Sequence, residues 1–250
     1  MLHIIVPCYN ESRRLDIIYW SSIVEDLEEI EISFTFVDDG SKDNTLSLLD
    51  ELKIFTNVDV LALKNNIGKA NAIREGLTSA LSKNAALSSF GFIDCDSAFS
   101  KTEVVNTIIS FADNFQEFDA IFLSRVNFSD SQIYRSEVRH ILSRVIYTFI
   151  ARGWDWAPYD TQCGFKLFKF TPAIRTALDK PFKTRWFFDI EIITRLAMIE
   201  GKRLKIKEIP LSFWQEVSDS KIKVKQVFKV LFEILYIRSL LKKMAVSLFN

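Results

Sequence analysis

Apolar residues along this chain alternate between two spacings. Residues 2–6 are a short apolar run closed by Pro7, which predicts a buried strand. From residue 11 to 30, Leu15, Ile18, Ile23, Leu27 and Ile30 recur at helical spacing, with Asn10 or Ser12 placed to cap them. A second strand is expected at 34–37 and a helix at 42–55, with Asp43 and Asn44 at its start. A strand at 58–63, a helix at 68–83, a strand at 87–93, a helix at 102–111 and a strand at 120–123 continue the series. Strands alternating with helices of this length imply βαβ units and a largely parallel sheet.

In such sheets ligands collect beyond the carboxyl ends of the strands. Three polar clusters fall there: Pro7-Cys8-Tyr9-Asn10-Glu11, Val37-Asp38-Asp39-Gly40-Ser41 and Asp94-Cys95-Asp96. Asp94 and Asp96 would point the same way if their strand continued, and like charges so close repel. A hard divalent cation gives a reason to keep both, since Mg²⁺ is held by one or two carboxylates together with substrate phosphates. The plainer reading is a solvated strand end. Three acidic clusters on one rim weigh against it.

After Ser124 the alternation fails. Residues 125–152 hold five arginines (125, 135, 139, 144 and 152) against two acids, Asp130 and Glu137. Arg135, Arg139 and the run 141–150 read as a helix with a basic start and an apolar body. That is either an ordinary amphipathic helix over the sheet or an anion site beside a membrane-facing surface. A turn into a strand follows at 161–168, then a helix at 187–199 with Asp189 and Glu191, and a strand at 204–209 ended by Pro210. The tail, 221–250, is a basic amphipathic helix in pattern. Val227, Leu231, Ile234 and Leu235 share one face, and Lys225, Lys229 and Glu233 another. It suits either an anionic membrane surface or docking on protein.

At 250 residues the chain is long enough for a sizeable core, and 48% hydrophobic residues suit a globular domain. Lys plus Arg and Asp plus Glu are both 32, so net charge gives no argument for a nucleic-acid partner. Cys8, Cys95 and Cys163 are far apart with no C-x-x-C pair, which fits a reduced cytosolic setting. No stretch reaches the roughly 18 apolar residues of a membrane span, and the N-terminus is too short for a signal-peptide core. His3 and His140 are isolated and read as structural.

Taken together, the motifs Val6-Pro7-Cys8-Tyr9-Asn10-Glu11, 37–45, Asn66-Ile67-Gly68-Lys69-Ala70 and Asp94-Cys95-Asp96 resemble the inverting family 2 glycosyltransferases of GT-A fold. Residues 160–168, Arg185-Trp186-Phe187-Phe188-Asp189-Ile190-Glu191 and 209–221 look like the dolichyl-phosphate β-glucosyltransferases and their polyprenyl-phosphate relatives. The likeness covers about residues 2–222. Two positions depart from it. Ala98 stands where mannosyl relatives carry Gln, as in the glucosyl branch, and Asp219 replaces the glycine of a Gly-Ser-Lys motif.

The resemblance implies an α/β, Rossmann-like GT-A domain, a mostly parallel sheet flanked by helices, over 1–220, with a C-terminal amphipathic helical extension over 221–250. It implies that Pro7, Tyr9, Glu11, Asp38, Asp39, Lys69 and Asp94 bind the nucleotide sugar and that Asp94 and Asp96 hold Mg²⁺ or Mn²⁺. Arg125 and Arg139 join these two aspartates as catalytic residues. With Gln162 and Lys221 the two arginines take the acceptor phosphate. The implied reaction is transfer of a hexose, glucose favoured and UDP-glucose ahead of GDP-mannose, to a polyprenyl or dolichyl phosphate with inversion. A saccharide or other lipid acceptor would instead need a general base, with Asp160, Asp189 or Glu191 as candidates. A silent nucleotide-sugar-binding protein is the remaining alternative. The expected location is cytoplasmic, peripheral on the inner face of a membrane, with homo-oligomerisation open.

Overall fold

The computed structural model describes residues 1–84, 86–114, 117–129, 131–134, 136–215 and 224–249. Its frame is a seven-stranded sheet. β1 (Leu2–Cys8) lies between β2 (Ile32–Asp38) and β4 (Ser89–Ile93), and β3 (Val58–Ala62) flanks β2; all of these pairs are parallel. β7 (Phe165–Lys169) inserts antiparallel between β4 and β5 (Ala120–Ser124), and β8 (Ile206–Pro210) closes the far edge parallel to β5. The sequence pattern anticipates a largely parallel sheet, and this one reversed strand departs from it. Pro210 is tolerated because an edge strand needs no second ladder donor.

The parallel strands read as continuous apolar runs because both faces are covered. β1 is buried at all seven positions. On one face Ile5, Val37, Phe92, Phe122 and Phe168 pack with α3 (Lys69–Lys83), α6 (Pro172–Leu178), α7 (Phe188–Glu200) and α8 (Val224–Phe249). On the other, Ile4, Val6, Phe34, Phe36 and Phe165 meet α1 (Ile17–Asp26), α2 (Thr45–Glu51) and α4 (Lys101–Asn114). Period-two alternation along the strands produces the two layers.

α1 begins later than its periodicity predicts. Glu11 instead opens a turn, its carbonyl accepting from the Arg14 and Leu15 amides at 2.8 Å each. Asp16 then caps the helix, accepting from the Tyr19 amide at 3.0 Å. α2 is shorter than expected, ending in a 3₁₀ turn, Leu52–Ile54. Three elements escape the pattern: α6, and the strands β6 (Gln132–Tyr134) and β9 (Phe213–Gln215), which pair in a separate two-stranded sheet.

α5 (Glu137–Ala151) and α8 carry the apolar segments of the second half. The face of α8 that docks shares Ile234 with the apolar face read from the sequence but is rotated away from Leu231 and Leu235. Ile234, Ile237, Leu241 and Met244 are buried, α8 packing against α7 and α5, while Leu231 and Leu235 are 53% and 56% exposed. Among the described residues, no helix is long and apolar enough to cross a membrane.

Candidate active site

The carboxyl ends of β1, β2 and β4 are neighbours, with Cys8 in register with Asp38 and Ile5 with Phe92. The three expected acidic clusters therefore share one rim, and a cavity of about 580 Å³ opens above it. Pro7, Tyr9, Glu11, Asp39, Lys69, Asp94 and Asp96 line it. Asp38, expected among them, does not. It is 3% exposed and its carboxylate accepts from the Ser41 amide at 3.3 Å, closing the turn beneath the rim.

Asp39 braces the rim from the side. Its carboxylate accepts from the Ile67 amide (2.7 Å), the Gly68 amide (2.8 Å) and Asn66 Nδ2 (2.8 Å). Gly40 is required below it: φ is +69°, and a Cβ there would lie 2.7 Å from the Asn65 carbonyl carbon. Gly68 precedes α3 and sets Lys69 on its first turn, where the ammonium pairs with Asp94 and lies 5.5 Å from the Phe92 ring centroid. Burial disfavours the Lys69 charge, but Asp94 and Asp189 outweigh it and raise the pKa.

The Asp94–Asp96 loop is held from both sides. Trp20, fully buried on α1, donates its indole N–H to the Cys95 carbonyl at 3.1 Å, and Tyr19 donates to the Phe99 carbonyl at 3.0 Å. On the other side the Asp94 amide donates to the Gly164 carbonyl at 2.9 Å. Burial raises the Asp96 pKa, the Asp94 charge adds to the rise, and Asp96 Oδ1 is buried without a hydrogen-bond partner. Glu11 repeats this: its Oε2 is an orphan, and burial raises its pKa although Arg14 pairs with it at 2.5 Å.

Orphaned carboxylate oxygens facing like charges fit a cation. No cluster of three or more His, Cys, Asp or Glu able to hold a metal occurs among the described residues. Asp94 and Asp96 are the two rim aspartates that could hold one, with the rest of the shell left to a ligand, a donor chemistry that suits Mg²⁺ or Mn²⁺ at phosphates.

Gln162 lines this cavity and also a second, smaller one of about 90 Å³. Arg125 lies in the second, but it is not a free cation. Its guanidinium grips Asp160 through Nε (2.8 Å) and Nη2 (2.9 Å), its amide adds a third bond at 3.0 Å, and it stacks 5.1 Å from Trp214. Burial alone would raise the Asp160 pKa, yet Arg125 holds it well below the usual carboxylate range. Both Asp160 oxygens are so occupied, and the group is a poor base. Glu191, another base candidate, is 0% exposed and spends its carboxylate on Lys183, Thr184 and Arg195. Only Asp189 of the three faces the large cavity, tied at 2.8 Å to the fully buried Lys166.

Arg139 lies in α5, with its side chain outside the described residues; Arg135 and Lys221, as well as Asp219 and Ser220, lie outside them entirely. Sequence reasoning passed over Arg144. Its guanidinium lies in the small cavity, 4.0 Å from the Tyr159 ring and 5.0 Å from the Tyr147 ring, and donates to the Tyr159 carbonyl at 2.7 Å. His140, read as structural, lines the same cavity. His3 is structural as expected, bonded to Ser33 and Thr35 across β2. Glu208 was also missed; it accepts from the Tyr159 and Asp160 amides at 2.7 and 2.9 Å and fixes that loop. α8 adds Lys229 and Glu233 to the large cavity's wall.

A family model described as "Glycosyl transferase family 2" matches residues 3–176. The dolichyl-phosphate beta-glucosyltransferase of Dictyostelium discoideum is 30% identical over 234 residues, covering 88% of this chain and 68% of that protein. Dolichyl-phosphate beta-glucosyltransferase ALG5D of Trichomonas vaginalis is 29% identical, over 93% of this chain and 71% of its own length. Glucosyl-3-phosphoglycerate synthase from Mycobacterium tuberculosis, solved with Mn²⁺, UDP-glucose and phosphoglyceric acid, matches with a TM-score of 0.63 at 14% identity, over 96% of this chain and 80% of that one. Staphylococcus aureus TarS 1-349 in complex with UDP matches at 0.58 and 17% identity, over all of this chain and 65% of that one. The solved structures establish the GT-A fold. The chain belongs to glycosyltransferase family 2 and is similar over most of its length to dolichyl-phosphate beta-glucosyltransferases.

Proposed function

We propose that this family 2 glycosyltransferase moves glucose from UDP-glucose to the phosphate of a dolichyl or other polyprenyl phosphate, inverting the anomeric carbon. The observation that carries the reading is the junction at Gln162. A large cavity with two orphaned acidic positions meets there a small cavity lined by Arg125, Arg144 and His140. A nucleoside diphosphate sugar fits the first, a single phosphate group the second. The names and coverage of the dolichyl-phosphate beta-glucosyltransferase relatives support the same donor and acceptor classes.

In this reading Asp94 and Asp96 hold a divalent cation, Mg²⁺ or Mn²⁺, which when bound supplies positive charge at the diphosphate. Lys69 adds a fixed cation beside Asp94. An oxygen of the lipid phosphate forms a bond to the anomeric carbon as the bond to the UDP oxygen breaks, and the electron pair leaves with UDP. The attacking phosphate is already ionised near neutral pH, so no proton need be removed. That agrees with Asp160 being locked to Arg125. The role of the chain around the acceptor is to place and pair charge: Arg144 presents a guanidinium braced by two tyrosine rings, and Arg125 is oriented by Asp160. Arg139, on the same helix as Arg144, is assigned to the same phosphate.

The acceptor places the protein at a membrane surface. α5 offers Ile141, Leu142, Val145 and Phe149, each more than half exposed, along one side of the helix. The three cysteines are buried and unpaired, which fits the cytosolic side. The test is a panel of radiolabelled nucleotide sugars incubated with purified protein, Mg²⁺ or Mn²⁺ and polyprenyl phosphate. UDP-glucose should label the lipid fraction; label appearing only in free sugar or a saccharide would overturn the acceptor.

A further inference from the structure

The surface along α5 changes character twice. His140 and Arg144 border the small cavity and also begin an open apolar groove with Ile141, Val145 and Phe149. Arg152, just past the helix, borders that groove and a third cavity of about 230 Å³. This third cavity lies between the end of α5, the turn after α7 and the second half of α8, and no step of the transfer uses it.

Its walls carry Arg152, Lys202, Arg203, Arg238 and Lys242 against one carboxylate, Asp155. Arg203 pairs with Asp155 at 2.8 Å, and Lys202 with Asp119 and Glu200 at 2.8 and 3.1 Å. Arg238 lies 4.5 Å from the Phe149 ring and donates to the Phe149 carbonyl. Neither it, Arg152 nor Lys242 has a carboxylate partner among the described residues. Trp154 and Trp156 meet edge to face in the same wall at 5.2 Å, and Trp154 Nε1 is buried without an acceptor. Uncompensated cations together with an unsatisfied donor describe an anion site.

The rim tells which anion. Phe149 on α5, next to the wall residue Ile150, is 53% exposed, and Val246 on α8, next to the wall residue Ala245, is 61% exposed. Phe232, Leu235, Lys242 and Val246 fall on one stripe of α8 by helical spacing. Indoles and arginine or lysine heads beside exposed apolar side chains fit the headgroup level of a bilayer. A free phosphate would explain the cations but not the apolar rim.

We propose that this cavity binds the phosphate headgroup of an anionic membrane phospholipid and so holds the α5–α8 face against the bilayer. The inference rests on the membrane placement above and gives it a specific headgroup contact.

The test is flotation of the full chain with vesicles of phosphatidylcholine alone or with phosphatidylglycerol added. Two variants are compared with the parent. Arg152→Gln/Lys242→Gln removes two charges, and Ala245→Phe fills the cavity while keeping every charge. The double variant should lose about 25-fold in affinity for the anionic vesicles, roughly fivefold per charge. Ala245→Phe should also weaken binding, which diffuse attraction by a basic face would not produce. Glucosyl transfer to a short-chain, detergent-dispersed polyprenyl phosphate should be unchanged in both. Parent-like binding by both variants would overturn the headgroup site while leaving membrane placement intact. A parent that ignores anionic vesicles would overturn the placement itself. Inorganic phosphate that fills the cavity, read as a rise in Tm lost in the double variant, and yet leaves vesicle binding undiminished would point to free phosphate and reject the lipid.

Discussion

Gly164, on the turn into β7, stands so close to Asp94 at the end of β4 that any side chain there would overlap the Asp94 carboxylate, while its carbonyl accepts the Asp94 amide at 2.9 Å. The antiparallel strand therefore sets the position of a rim carboxylate in the parallel half of the sheet. Gly164→Ala should push Asp94 off its place and lower kcat by about a hundredfold, since small misplacements of positioning groups cost that much. The fold should lose only about 1–3 kcal/mol, as for an overpacked site. Steady-state kinetics beside urea unfolding separates the two effects.

Asp96 gives a stability signature that needs no substrate. Burial and the neighbouring Asp94 raise its pKa, so the folded chain binds more protons than the unfolded one just above the ordinary carboxylate range. Stability therefore falls as pH rises through that window, and the ionised group is a liability at neutral pH. Asp96→Asn should raise the metal-free Tm at pH 7. It should also remove the Tm increase that Mn²⁺ gives the parent. Calorimetry with and without Mn²⁺ checks both signs.

Much of this rim was legible because buried parallel strands leave a plain mark: apolar runs at 2–6, 34–37 and 87–93, each followed within five residues by an acid. Strand direction leaves none, since an antiparallel β7 has the same period-two pattern as a parallel one. The Arg125–Asp160 pair spans 35 positions, and nothing local announces that the arginine's charge is already spent. β6 and β9 are three residues each, too short for any period. On α8, Leu231, Ile234 and Leu235 look like one face, but packing against α7 selects Ile234, Ile237, Leu241 and Met244 and leaves the two leucines outside.

His3 should govern stability in mild acid. Its ring is 3% exposed, bonded to Ser33 Oγ at 2.6 Å and Thr35 Oγ1 at 3.0 Å, and burial lowers its pKa to about 4. Between about 6.5 and 4 the unfolded chain takes up a proton that the folded chain refuses. Stability is thus lost as pH falls through that window, by about 3 kcal/mol if nothing else titrates, at about 1.4 kcal/mol per unit. Urea midpoints at pH 7 and pH 4.5 should differ less in His3→Gln than in the parent.

Arg144 lines the small cavity proposed for the acceptor phosphate, and the chain's periodicity hides it. Arg144→Ala should raise KM for polyprenyl phosphate by about ten- to a hundredfold, the loss of a hydrogen bond to a charged group. KM for UDP-glucose should hold. A variant that loses donor affinity and keeps normal lipid dependence would move the acceptor site elsewhere.

Divalent-dependent transfer of glucose onto a lipid phosphate at Asp94 and Asp96 is the activity proposed for this chain. Its most direct measurement is lipid-extractable radiolabel from UDP-[¹⁴C]glucose and dolichyl phosphate, for the parent and for Asp96→Asn, with Mn²⁺ and with chelator. Label is expected for the parent with the cation only, and a rate about a thousandfold lower for Asp96→Asn, the several kcal/mol that metal charge supplies to such a transition state. Label formed in chelator, or undiminished in Asp96→Asn, would contradict it.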